Sequence, residues 1–189
     1  MTASRDASSQ ADPISTQPSS AEGFPTSAGI LFGLGLGGFF DGIVFHQVLQ
    51  WHHMVSTWYP PTSLENLRLN TRWDGAFQAI AHLFVVTGIA LLWRKASMRV
   101  LYWSGHMLIG ALLYGWGCFN VAEGLVDHAL LGMHHLNETV PPSLQRWWDV
   151  VFLAWGAAMV MAGRALLRWA ERQRRLPRAR NAAADRVSA

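Results

Sequence analysis

The chain has 189 residues, 51% hydrophobic and only 14% charged, with ten Trp and a formal charge of +3. That balance excludes an ordinary soluble domain and points to a membrane protein in contact with the lipid bilayer. The positive charge gathers after Arg164, where it reads as a topology signal beside a membrane, so no nucleic-acid partner is expected. One cysteine, Cys118, rules out an intramolecular disulfide.

Residues 1–26 are rich in Ser, Ala, Thr, Pro and Asp. They cannot bury enough apolar surface to offset the entropy of ordering, so a disordered tail is expected. The first membrane helix is expected over about 27–54, with a Gly-rich start. Gly33 and Gly37 form a small-xxx-small pair that allows close approach of another backbone, within the chain or between subunits of an oligomer. Pro60 and Pro61 prevent helix continuation in the loop that follows. The second helix is expected over about 73–94, the third over about 100–134 and the fourth over about 147–169. The third exceeds the roughly twenty residues a span needs, so it must tilt, kink or project beyond the lipid. Residues 171–189 form a basic C-terminal tail that is expected to fray.

Two stretches within these helices resemble one another without a gap. The run from Asp41 through Gly42, Val44, His46 and Leu49 to His52-His53 matches that from Glu123 through Gly124, Val126, His128 and Leu131 to His134-His135. Pro-Pro pairs follow both, and Trp73-Asp74 and Trp148-Asp149 open the next apolar runs. An acid, a His and a His pair recurring in apolar surroundings read as an internal duplication. The predicted fold is therefore an all-α integral membrane protein. Four transmembrane helices come from two tandem, parallel-oriented helical-hairpin repeats, about 27–94 and 100–169, within a domain of 27–170. Four spans place both termini on one side, which carries Arg94, Lys95, Arg99 and the tail arginines. The positive-inside rule makes that side the cytoplasm, and both His-pair loops then face outward.

Ionisable groups inside membrane spans are costly and mark functional sites by default. On an α-helix, with about 100° and 1.5 Å per residue, His52 lies about 20° from Asp41, His53 about 120° and His46 about 140°. The acids would sit about 16 Å below the His pairs, near mid-membrane. Asn120 and Asp127 join the Glu123 face, and Asp74, Gln78 and His82 form one polar stripe on the second helix. A four-helix bundle would turn these faces to a common centre.

Four readings stay open. The first is a transition-metal site, copper or zinc, in the outer half of the bundle. Its ligands would come from His46, His128 and one residue of each pair His52/His53 and His134/His135. Asp41 and Glu123 would orient the ligands or accept protons, and Asp74, His82 and Asp149 are additional candidates. The second is bis-His haem b, held by His46 and His128 or by His82 with one of them. The third is a proton or ion pathway through Asp41, Glu123, His46 and His128. The fourth is packing alone, with the polar groups hydrogen-bonding across helices. No nucleophile elbow, phosphate-binding loop or zinc-protease motif is present in the sequence.

The run from Gly35 to Met54, with its Asp41-Gly42 and His46 through His52-His53, resembles the signature of a bacterial integral-membrane family, domain of unknown function 2243. The run Glu123 to His128 followed by His134-His135-Leu136 is similar to that family's second block, and the resemblance covers about residues 27–170. It implies a four-span protein of the bacterial inner membrane and brings no activity with it. It also implies a link to respiratory-chain assembly proteins, which favours copper among the metals.

Overall fold

The computed structural model describes residues 24–98 and 104–187, with side chains through residue 175. The expected N-terminal tail, up to residue 23, and the link at 99–103 lie outside the described residues. Among the described residues the chain is helical, without strands: α1 Thr26–Phe40, α2 Leu64–Ser97, α3 Gly105–Glu123 and α4 Pro142–Val187. Four helical segments are long and apolar enough to cross a membrane, Thr26–Val48, Leu64–Ser97, Gly105–Leu130 and Pro142–Arg175.

The helix boundaries differ from the sequence expectations for local reasons. α2 starts at Leu64, well before the expected residue 73, because Ser63 caps it: its Oγ accepts the Asn66 N–H at 3.2 Å. α4 starts at Pro142, where the missing N–H costs nothing in the first turn, and runs on to Val187 through the tail expected to fray. α1 and α3 do not continue to residues 54 and 134. Each passes into a π-helical segment, Asp41–Val48 and Gly124–Leu130. Each π segment closes on an N–H bonded five residues back, Leu49 to Val44 and Leu131 to Val126, both at 2.8 Å. The chain then reverses through a left-handed residue, Gln50 at φ 48° and Gly132 at φ 57°.

The four helices form a row rather than a closed bundle. α1 and α3 pack on each other, α2 lies on α1 and α4 lies on α3; among the described residues no Cα of α2 comes within 8 Å of one of α4. The central α1/α3 contact depends on glycine, as expected for Gly33. A Cβ on Gly33 would sit 2.3 Å from the Leu112 carbonyl oxygen, and one on Gly115 would sit 2.1 Å from that of Ile30. The close approach is thus within one chain. The two connecting loops lie together at one end of the row and bond to each other: Thr57 N–H to Met133 O at 3.0 Å, Glu138 N–H to Trp51 O at 2.9 Å, and Thr57 Oγ1 to Glu138 Oε1 at 2.8 Å. Beneath them Phe45, Leu136 and Phe152 make an apolar cluster with Trp51 and Trp148 against it.

Candidate metal centre

The π segments position the first components. Widening the turn to i→i+5 bonding brings residues five apart round to one side. His46 therefore meets Asp41, with Nε2 2.9 Å from Asp41 Oδ2, instead of standing about 140° away as on an α-helix. The two atoms are close but not aligned for a hydrogen bond.

The reversals at Gln50 and Gly132 position the rest. They fold each His pair back, and His134 Nε2 comes within 3.7 Å of Glu123 Oε1. This corrects the expected axial separation of about 16 Å, which holds only for unbroken α-helix. The rings of His52 and His134 stack at 4.3 Å with 2° between their planes. His46 packs edge-on to His52 at 4.4 Å, and His128 edge-on to His134 at 4.8 Å. Asp41 and Glu123 lie close enough to interact directly.

Three of the four imidazoles, His46, His52 and His134, are held by a hydrogen bond at Nδ1. His52 Nδ1 donates to Leu136 O at 2.8 Å, and His134 Nδ1 donates to Met54 O at 3.0 Å. A carbonyl oxygen can only accept, so both rings carry their proton on Nδ1 and leave Nε2 as a bare lone pair. His46 Nδ1 donates to Asp74 Oδ1 at 2.8 Å, and His128 Nδ1 lies 3.3 Å from Asp149 Oδ1. Burial, with the neighbouring imidazoles adding to it, pulls both His52 and His134 well below the ordinary imidazole pKa. Both are neutral at pH 7, the form in which imidazole binds metal.

The inward-facing polar atoms have no hydrogen-bond partner among the described residues. His46, His52, His128 and His134 all have buried Nε2 atoms without a hydrogen-bond partner, as do both oxygens of Asp41 and of Glu123. The residues themselves are between 0% and 4% exposed. One ligand atom each from His46, His52, His134 and Glu123 lie within 4.8 Å of one another. A tetrahedral ion with bonds of about 2.0–2.1 Å would hold its ligand atoms about 3.4 Å apart, so a small contraction would close the set. The donor set fits a borderline transition metal: neutral imidazoles with a carboxylate, and no thiolate.

Of the remaining sequence candidates, Asp74, Asp149, His53 and His135 lie around this set. Asp74 accepts from His46 Nδ1 and Met54 N on one oxygen and from His53 Nδ1 on the other, at 2.8, 2.8 and 2.7 Å. Asp149 accepts from Leu136 N at 2.8 Å and from His135 Nδ1 at 2.6 Å. Both aspartates therefore orient histidines, with their own oxygens already occupied. His53 and His135 lie toward the surface, with side chains 17% and 27% exposed. His82 is exposed, beside Phe39 at 6.4 Å, and takes no part in the cluster. Asn120 turns to α4, where its Nδ2 lies 3.9 Å from Met159 Sδ. The space between His46 and His128 is filled by the stacked rings of His52 and His134, so it offers no flat slot for a haem macrocycle. A cleft of about 390 Å³ opens from the loop side next to His52 and His53, bordered by Gln50, Ser56, Glu138 and Thr139.

A family model described as a predicted membrane protein (DUF2243) matches residues 28–170. The chain belongs to this family. The match takes in α1–α3, both π segments and the membrane-spanning part of α4 up to Ala170, and with them every residue of the cluster. No curated protein and no solved structure matches the chain.

Proposed function

We propose that this protein is an inner-membrane metalloprotein that binds zinc or copper at the outer end of its helices through His46, His52, His134 and Glu123. One observation carries the reading. Four imidazole Nε2 atoms and two carboxylates are buried together, with no hydrogen-bond donor for them among the described residues. Buried polar atoms left in this way cost about 1–3 kcal/mol each, and more when charged. A packing role would have paired these groups, since satisfying them is what makes polar residues useful between helices. A cation would satisfy imidazole nitrogens and carboxylate oxygens together. The Nδ1 anchors support the same reading, because metal-bound histidines commonly donate their other N–H to a carbonyl or carboxylate.

Matched contacts in the two halves support descent from two tandem hairpins within a single domain of about residues 27–170. His52 bonds the carbonyl of Leu136 while His134 bonds that of Met54, and Asp74 and Asp149 hold equivalent histidines and equivalent backbone N–H groups. Each half supplies what the other half's His pair needs, so neither hairpin would build the site alone. Charge asymmetry supports a bacterial inner-membrane orientation with both termini in the cytoplasm, which puts the centre on the outer side. The role that fits is metal homeostasis or the supply of metal to respiratory-chain assembly.

The test is titration of untagged, metal-stripped protein in mild detergent with Zn²⁺ and Cu²⁺ against a competing chelator. The wild type should bind at least one ion per chain. His46→Ala and His134→Ala should each weaken binding by 100-fold or more, while His82→Ala should leave it unchanged. Equal affinity in all four proteins would overturn the assignment.

A further inference from the structure

We propose that the centre holds two metal ions rather than one, the second taken by His128 and Asp41, with Glu123 shared between them. The inference rests on the metal-binding reading above and deepens it.

One ion does not exhaust the donors. A first ion held by His46, His52, His134 and one Glu123 oxygen leaves His128 Nε2, both Asp41 oxygens and the second Glu123 oxygen buried without a partner. His128 is 4% exposed and Asp41 1%, so both lie away from bulk solvent. They lie directly beside the first set. The His128 ring is 4.8 Å from that of His134, and Asp41 Oδ2 is 2.9 Å from His46 Nε2.

The leftover groups are also the counterparts of groups already used. His128 follows Glu123 in the second π segment as His46 follows Asp41 in the first. Asp149 lies at its Nδ1 as Asp74 lies at that of His46, and Phe152 packs on its ring at 5.4 Å as Phe77 packs on His46 at 5.6 Å. The His128 ring thus stands in the equivalent place, and neither of its nitrogens has a hydrogen-bond partner among the described residues, which leaves it available to a metal. Asp41 and Glu123 lie close enough to interact directly, as neighbouring carboxylates of a paired site would, and paired ions sit about 3.5–4 Å apart in such centres.

Charge favours the pair too. Asp41, Glu123, Asp74 and Asp149 bring four carboxylates into or against the cluster. Two dications would balance these groups in their ionised, metal-binding form.

The experiment is elemental analysis of untagged full-length protein in mild detergent, loaded with Zn²⁺ and washed, alongside His128→Ala and His128→Gln. The proposal expects two zinc ions per chain in the wild type and one in each variant. Copper(II)-loaded wild type should lose most of its electron paramagnetic resonance signal through coupling of the two ions, and the variants should recover it. The two variants guard against misfolding of either, and each is judged by its elution as a single species. One zinc per chain in the wild type would overturn the second ion while leaving the first reading intact. Two zinc ions retained in both His128 variants would overturn the assignment of His128. No zinc at all would overturn both readings.

Discussion

Asp74 offers the sharpest perturbation, because two replacements separate its charge from its shape. Its Oδ1 accepts from His46 Nδ1 and Met54 N–H, and its Oδ2 accepts from His53 Nδ1. An Asn with its oxygen in the Oδ1 position keeps the first two bonds. Its amide N–H then faces His53, which is half-buried and free to present Nδ1 as an acceptor by changing tautomer. Asp74→Asn should therefore fold and lose only charge. A hydrogen bond to a charged group contributes about 1.5–3 kcal/mol against about 1 for a neutral one. The ring of His46 becomes a weaker donor to metal by that difference of about 0.5–2 kcal/mol, so zinc affinity should fall roughly 2- to 30-fold. Asp74→Ala removes all three bonds and leaves the buried His46 N–H and the Met54 N–H unsatisfied, at about 1–3 kcal/mol each. It should cost roughly 2–6 kcal/mol of stability on that basis. Competition titration with Zn²⁺ reads the affinity and thermal unfolding in detergent reads the stability. Zinc affinity of Asp74→Asn within twofold of the wild type would refute the idea that Asp74 acts through His46.

Three other expectations follow from the same geometry. Gln50 is a non-glycine residue at φ 48°, whereas Gly132 occupies the corresponding reversal, where an added Cβ would meet nothing within 4 Å. Relief of a left-handed residue is worth about 1–2 kcal/mol, less about 0.5–1 for the added freedom of unfolded glycine. Gln50→Gly should thus raise the melting temperature and Gly132→Ala should lower it; the opposite signs would show that the reversals are not what the backbone angles indicate. Gly33→Ala should cost about 1–3 kcal/mol by overpacking, because its new carbon meets backbone rather than a side chain that could move. Unfolding midpoints measure this, and no change would mean that α1 and α3 are not in contact. The pH dependence follows from His52 and His134. Their folded pKa values lie below the unfolded value of about 6.5, so the unfolded chain binds more protons as pH falls. Stability of the metal-free protein is then full above about pH 6.5 and declines below it, at up to about 1.4 kcal/mol per pH unit for each histidine. A melting temperature that rises between pH 7.5 and 5.5 in metal-free protein would contradict neutral, buried rings.

Much of this architecture is legible in the sequence, and the boundary between what is and what is not has physical causes. Long apolar runs set the four spans, because burial in lipid demands them whatever the packing. The paired acid and histidine stretches mark the cluster, because ionisable groups in apolar runs are costly enough to be noticed. The geometry of the cluster is hidden for one reason, the single helical period that a sequence reading has to use. Hydrophobic periodicity does not announce a π segment, so an α-helical period puts Asp41 and His46 on different faces and keeps the His pairs on an overlong helix. Gly132 is the available signal. A glycine where its counterpart is Gln50 marks a helix end and a left-handed reversal. His82 misleads because a helical stripe shows which residues share a face and not what that face meets; α2 turns it away from the cluster. Which helices of the four are neighbours is hidden for a similar reason, and the glycines bring α1 against α3.

The most direct test of the central claim is elemental analysis of the protein as purified, without a His tag, together with its visible spectrum. The account predicts zinc or copper in at least stoichiometric amount, lost in His46→Ala and His134→Ala, and no Soret band. Protein that carries no transition metal and takes none up from solution would contradict it, as would a Soret band that disappears in His46→Ala.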